Sequence, residues 1–347
     1  MSQLAASPVA VLDRLSHVSA QRGAPSLAER LASLDRWVRS DLVEFERELD
    51  VIPRGGKMIH QAAHHLLDLR GKHLRPLCVA MTSRFGEGFT ERARSLAVAV
   101  ELVHSATLLH DDVVDVAERR RGQPTASVVY GNAASIFAGD WLLIAALRRI
   151  RQSGVEGVLD RMLGVIDEMI AAESVQLERR GKIAGAREDY FAIVEGKTAA
   201  LFRWAMIAGA RCADLPASSE AALERYGLHL GVAFQAVDDE LDFREGTGKD
   251  ALADLREGKI TFPLVIALER EPSLRGRMEA LLAREVVATD ELSAIATAVR
   301  NTGALAATRT LAEEHVQRAI DVLDELPAVP ARDALVTVAL ASLERQS

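Results

Sequence analysis

Residues 101–125 read ELVHSATLLHDDVVDVAERRRGQPT, and the reading of the whole chain turns on them. The first half is apolar at helical spacing, through Leu102, Val103, Leu108 and Leu109, and it closes on three aspartates, Asp111, Asp112 and Asp115. On a helix Asp111 and Asp115 stand at i and i+4, so both carboxylates share one face a turn apart. Like charges at that spacing repel unless a counter-ion joins them. Grouped carboxylates suit Mg2+, a hard cation that takes oxygen ligands, keeps several waters and bridges to phosphate. Arg119, Arg120 and Arg121 follow directly. Acid for a metal and base for phosphate, on either side of one short segment, point to a diphosphate site. Taken alone, the run fits a solvated acidic face beside a solvated basic one equally well.

A second copy breaks that tie. Residues 231–243 read GVAFQAVDDELDF, again an apolar lead-in followed by Asp238, Asp239 and Asp242. Both apolar runs should be buried, which would bring the two acid clusters to one end of one core. Gln235 precedes Asp239 by four residues and shares its face.

The rest of the composition supports a helical reading. The chain has 347 residues, 49% of them hydrophobic and only 4% aromatic, which is ample for a large core. Ala, Leu, Val, Glu and Arg dominate and alternating β-branched runs are scarce, so the expected class is all-α. A net charge of −8 with dispersed basic residues gives no sign of a nucleic-acid surface, and no nucleic-acid partner is expected. Cys78 and Cys212 lie far apart without metal-ligand spacing and read as free thiols in a reducing cytosol. No uncharged stretch approaches the ~20 residues of a membrane span, and the N-terminus lacks the pattern of a signal peptide. The expected location is therefore cytoplasmic.

Along the chain, residues 1–25 mix Ala, Ser, Pro and Gly and read as a flexible tail. Residues 26–347 read as one domain. Ser26 with Glu29 resembles a capping box at the head of the first helix. A second helix runs to about Asp68. In residues 70–76, RGKHLRP, glycine lets the backbone approach a ligand and Pro76 sits in the first turn of the next helix. Lys72 and Arg75 flank that helix start, where backbone N–H groups favour anions; two solvated charges explain them as simply. His104 lies two turns before Asp111 on the same face. Glu173 and Gln176 fit either a cavity wall or an exposed polar face. Lys197, in Gly196-Lys197-Thr198 before the apolar run Ala199 to Ala210, must snorkel or meet an anion. Residues 243–260 are polar and Gly-rich, suited to a flexible cover.

These motifs together resemble the trans-isoprenyl diphosphate synthases, or polyprenyl synthetases, in order and spacing from about residue 50 to about 270. The matching pieces are GKHLRP, ELVHSATLLHDDVVD, RRG, Gly139-Asp140, EGKTAALF, GVAFQAVDDELD and GKDALADLREGKITFP. The resemblance implies a single-domain bundle of antiparallel helices around a deep apolar cavity, usually paired as a homodimer. It implies that Lys72, Arg75, His104 and Arg121 hold isopentenyl diphosphate. It places Mg2+ on Asp111 and Asp115 of the first motif and Asp238 of the second, with Asp112, Asp239 and Asp242 completing the two clusters. Arg120, Lys197, Thr198, Gln235, Lys249 and Lys259 match the contacts to an allylic diphosphate. Arg70, where many members have glycine, and His73, often arginine, depart from the pattern.

The implied reaction ionises the allylic C–O bond and joins the cation to isopentenyl diphosphate, with the 243–260 passage closing over it to exclude water. Ala106 and Thr107 lie one turn before Asp111, where a large aromatic would form a floor to the cavity. Both are small, so the expected product is longer than geranylgeranyl; Phe137 and Trp141 are further candidates for the floor. A short-chain synthase, a class I terpene cyclase and a catalytically silent partner subunit are the alternatives. The intact second acid cluster argues against the last two. No membrane span is expected, only peripheral contact for product release.

Overall fold

A computed structural model describes residues 12, 16, 25–69, 71–181, 187–243, 252–259, 261–282 and 289–344. Its helices are α1 (Pro25–Asp50), α2 (Met58–Leu67), α3 (Leu74–Ser83), α4 (Glu91–Val114), α5 (Ala126–Tyr130), α6 (Asn132–Gln152), α7 (Val158–Arg179) and α8 (Arg187–Ile193). A π-helical turn, Val194–Ala199, leads into α9 (Ala200–Cys212), followed by α10 (Ala217–Asp242) and the short α11 (Ala253–Arg256). The chain continues through α12 (Phe262–Arg270), α13 (Leu274–Leu282), α14 (Thr289–Asn301), α15 (Ala304–Val322) and α16 (Pro330–Ser342). The all-α expectation holds.

One departure from helix matters. Arg119–Arg120 and Gln123–Pro124 pair as a two-stranded antiparallel hairpin. Its two central residues, Arg121 and Gly122, have φ of 51° and 79°. Positive φ at both positions is what the right-handed twist of a tight hairpin demands. Glycine meets it freely, whereas Arg121 adopts a conformation uncommon for a side chain with a Cβ.

The acid-tipped helices are buried, as their apolar runs predicted. α4 packs chiefly on α6, and α10 on α15 and α9. Thr90 caps α4 by accepting the Ala93 N–H at 3.4 Å. α9 is the hub: of its thirteen residues only Arg203 and Arg211 are not buried. Trp204 donates its indole N–H to the Val158 carbonyl at 3.0 Å, and Tyr226 of α10 donates to the Leu335 carbonyl at 2.8 Å. Burying an aromatic of this kind contributes about 2–3 kcal/mol, provided its polar end finds a partner. A second apolar cluster, around Tyr190, Phe243, Phe262, Leu264 and Val299, ties α12 and α14 to the far side of α10.

Ser26 does not cap the first helix. Pro25 already belongs to α1, which puts Ser26 inside it. Most of residues 1–25 fall outside the described residues; of those described, Leu12 is 2% exposed in an apolar recess with Leu31, Leu77, Phe202, Phe234 and Val338, and Ser16 donates to the Ala28 carbonyl at 3.0 Å. Cys78 and Cys212 are free and buried, and burial pushes their thiols up to about 12 and about 11. Among the described residues no helix is long and apolar enough to cross a membrane.

Candidate active site

The last turn of α4 presents Asp111 and ends at Asp115, whose N–H still bonds the Asp111 carbonyl at 2.8 Å. Three cations from other parts of the chain converge on these two carboxylates. Lys197 Nζ stands 3.5 Å from Asp111 and 2.5 Å from Glu173. Lys259 Nζ donates to Asp115 Oδ2 at 2.7 Å, and Arg180 donates to Asp115 Oδ1 at 2.6 Å. Burial pushes both carboxyls up. At Asp111 burial wins, helped by Glu173 and Asp115, and its pKa stays raised despite Lys197. At Asp115 the paired Lys259, with Lys197 and Arg180, overcomes burial and the pKa falls below the usual value. Asp112, 1% exposed, accepts from Arg120 Nε at 2.7 Å. Its carboxylate is thus occupied by the hairpin rather than shared with its neighbours.

The second acid cluster meets the first across the π-helical turn. Thr198 donates to Gln235 Oε1 at 2.9 Å, and Gln235 Nε2 donates to Asp239 Oδ1 at 2.9 Å. Asp239 Oδ2 accepts the Phe262 backbone N–H at 3.1 Å, so this buried carboxylate braces the head of α12. Burial and the nearby Asp254 push its pKa up to about 8. Asp238, one residue earlier, is half-buried, and Asp242 is buried. Two glycines make the close approach possible. A methyl on Gly196 would lie 2.7 Å from the Ala172 Cβ of α7, and one on Gly231 would lie 2.4 Å from the Ala199 Cα. The turn bearing Lys197 and Thr198 is therefore clasped between α7 and α10. π-helical turns recur at functional sites because the extra residue re-aims side chains.

A second cationic group lies up α4. His73 opens α3 in the left-handed conformation, with φ of 46°, and sets Lys72 and Arg75 on either side of the helix start. Burial and Arg75, with Arg121 and Arg120, push the His104 imidazole well below its usual range, leaving it neutral. Burial also lowers Arg121. The guanidinium of Arg75 lies over the Phe202 ring, 4.6 Å from its centre.

Of the expected site residues, Asp111, Asp115, Lys197, Thr198, Gln235, Asp239 and Lys259 form one connected group, with Asp112 and Arg120 at its edge. Arg75, His104 and Arg121 gather with Glu101 as a second. Lys249 and Arg70 lie outside the described residues, as do 244–251 and 260 of the proposed cover. Ala106 is 1% exposed, and a methyl on Gly139 of α6 would lie 3.0 Å from its carbonyl, so α6 backs directly onto it. Thr107 donates to the His104 carbonyl at 2.8 Å. Phe137 does not face a cavity: it is 60% exposed on the outside of α6. Trp141 packs on His60, with ring centres 4.6 Å apart.

Sequence reading missed Arg180 and Glu101. Arg180 follows Arg179 at the end of an amphipathic helix and looks like a solvated charge. Glu101 carried a signal, being a carboxylate directly before the apolar Leu102 and Val103.

Among the described residues no three carboxylates, imidazoles or thiols converge tightly enough to hold an ion by themselves. Mg2+ does not require such a cage: it is bound through one or two carboxylates with water and substrate phosphate. The donor set of Asp111 and Asp115, hard oxygens one turn apart beside three phosphate-seeking cations, fits that chemistry.

Two acid-tipped helices meeting across the Lys197–Thr198 turn inside an all-helical core belong to the class of helical prenyltransferases. The pattern of the polyprenyl synthetase family matches residues 56–299, and the chain belongs to that family. It is 32% identical to heptaprenyl diphosphate synthase component 2 of Geobacillus stearothermophilus, over 90% of this chain and 98% of that one. It is 33% identical to octaprenyl diphosphate synthase of Escherichia coli (strain K12), over 83% and 90%. Among solved structures, the polyprenyl synthase of Caulobacter crescentus CB15 complexed with calcium and isoprenyl diphosphate superimposes with a TM-score of 0.85 at 34% identity, covering 90% of this chain and 97% of that one.

Proposed function

We propose that the protein condenses isopentenyl diphosphate with an allylic diphosphate to give a long-chain trans-polyprenyl diphosphate. The observation that carries the reading is the Lys197–Thr198 turn. It touches Asp111 on one side and, through Gln235, reaches Asp239 on the other. An allylic diphosphate seated there would meet Lys197 and Lys259 beside Asp111 and Asp115, with Asp238 supplied by the neighbouring helix α10. Mg2+ held by those three aspartates would neutralise the charge that builds on the diphosphate as it leaves. The allylic C–O bond breaks with its electron pair going to the diphosphate. Lys72, Arg75, His104 and Arg121 orient the second substrate so that its double bond lies beside the allylic carbon. The π pair forms the new C–C bond, and a proton is lost from the adjoining carbon to the departed diphosphate. Neutral His104 donates to a phosphate oxygen without adding charge.

Pairing with a second copy is supported by the outer face of α5, α6 and α7. Val128, Phe137, Ile144, Leu163, Ile170 and Leu177 are all large, apolar and 47–63% exposed, and the three on α7 recur every seventh residue. A patch of that kind seeks a protein partner.

The test incubates purified protein with Mg2+, labelled isopentenyl diphosphate and each allylic primer from five to twenty carbons, and sizes the products. Elongated diphosphates whose formation stops on chelation support the reading. A hydrocarbon formed without uptake of label indicates a cyclase. A second reading follows from the relative named as component 2: the chain is the catalytic half of a two-component synthase. It predicts little activity from this chain alone.

A further inference from the structure

Beneath the second cationic group lies a carboxylate with no place in the reaction above. Glu101 is only 5% exposed, and its Oε1 stands 2.9 Å from His73 Nδ1. The His73 ring is itself 4% exposed and lies edge-on to Phe45, with ring centres 5.1 Å apart. Neither ring nitrogen makes a hydrogen bond of good geometry among the described residues, so the close contact with Glu101 is what orients the ring. A methyl on Gly71 would lie 3.5 Å from Glu101 Oε1 and 2.9 Å from Arg121 Nη2, so the carboxylate and this arginine flank one glycine. Arg75 and His104 lie close by as well, and together with His73 they hold Glu101 ionised despite its burial.

A substrate diphosphate would not choose a carboxylate as a neighbour, and the burial of Glu101 keeps it from solvent. Its effect must pass through the groups it holds. Arg75, Arg121 and Lys72, gathered near one helix start, repel each other while the site is empty. A buried counter-charge lets them stay gathered and lowers the cost of assembling them when the anion arrives. The pairing also anchors His73 in the left-handed conformation from which α3 begins, and so sets Lys72 and Arg75 on their two sides. Glu101 and Asp111 lie on the same helix, ten residues and about 15 Å apart along its axis. That rod fixes the spacing of the two diphosphate sites.

We propose that Glu101 is the positioning residue of the isopentenyl diphosphate cradle, holding His73, Arg75 and Arg121 in the arrangement that a second diphosphate meets. The inference rests on the reading of Lys72, Arg75, His104 and Arg121 as the second-substrate site.

The experiment measures steady-state kinetics of the full chain with Mg2+, varying each substrate with the other saturating, for Glu101→Gln, His73→Gln, their double variant and Arg121→Ala. Thermal unfolding checks that each is folded. Glu101→Gln should raise KM for isopentenyl diphosphate by about 10- to 100-fold, the scale of losing one partner of a buried charged contact. KM for the allylic primer and kcat should change little. The double variant should be no worse than the poorer single one, because the two residues act as one unit. If Arg121→Ala raises that KM and Glu101→Gln does not, the positioning role is overturned and the site reading stands. If neither changes it, the site reading itself fails. A Glu101→Gln protein in which both KM values and kcat worsen together has lost a structural residue only, which also overturns the proposal. Should Glu101→Gln not fold, His73→Gln carries the same test, and an unchanged KM for isopentenyl diphosphate there refutes it.

Discussion

The clasp around Lys197 can be tested by adding a single methyl group. Gly231 lies where α10 crosses the π-helical turn, and a Cβ built on it falls 2.4 Å from the Ala199 Cα and 2.6 Å from its Cβ. Carbon atoms in van der Waals contact sit about 3.5–4.0 Å apart, so Gly231→Ala must drive α10 and the turn apart by roughly an ångström. Overpacking of this kind costs about 1–3 kcal/mol, and for a chain of this length the melting temperature should drop by a few degrees. The functional loss should exceed the stability loss. Parting the two elements breaks the 2.9 Å bond from Thr198 to Gln235 and carries Lys197 away from Asp111. A misplacement of about 1 Å in a positioning group can cost about 100-fold in rate. The assay pairs thermal unfolding with kinetics in both substrates. The expected result is a large fall in kcat with KM for isopentenyl diphosphate preserved, because the α3–α4 cradle is untouched. Gly276→Ala is the control: no atom lies within 4 Å of a Cβ there, so the helix should gain slightly. If Gly231→Ala is as stable and as active as the parent, α10 does not clasp the turn and the account of the site is wrong.

Three further outcomes follow from the same geometry. Burial would raise the Glu101 pKa, but His73, His104 and Arg75 hold it at about 2 against 4.5 for a free glutamate. A folded pKa below the unfolded one gives stability that is full above about pH 4.5 and lost as pH falls toward 2, about 3 kcal/mol in all; denaturant unfolding should show the parent's advantage over Glu101→Gln shrinking below pH 4.5, and a pH-independent gap would contradict the assignment. Arg180→Ala removes a cation that competes with metal for Asp115, so half-maximal activity should require less Mg2+; a greater requirement would mean that Arg180 serves the substrate instead. Ala106→Phe places a ring on α4 one turn before Asp111 and should shorten the products, at about 1–3 kcal/mol of overpacking against α6; unchanged product length would mean that the growing tail runs elsewhere.

The class and the reacting end of the molecule were legible in one dimension, because helical period and carboxylate spacing are local properties. Leu102 to Leu109 and Val232 to Val237 announce two buried helices, and the aspartates that close them announce where charge gathers. Lys197 before an apolar run was equally visible, since a cation there must snorkel or meet an anion; Lys72 and Arg75 at a helix start read as simply as solvated charges, and only the company of the other motifs promoted them. Other features depended on what faces what across the fold. The RRRG run formed a hairpin, aiming Arg120 at Asp112 and Arg121 toward Glu101, because two residues with positive φ were tolerated there. Asp239 also braces the head of α12, a role set by a backbone N–H twenty-three residues away. Phe137 faced outward and Trp141 took His60 as its partner, which no periodicity of α6 alone could decide. Arg180 reached Asp115, sixty-five residues away, from a position that reads as solvent. Segment by segment, the sequence determined which charges must be gathered; tertiary packing decided which of them touch, because an ion pair depends on distance through space and the chain specifies only distance along itself.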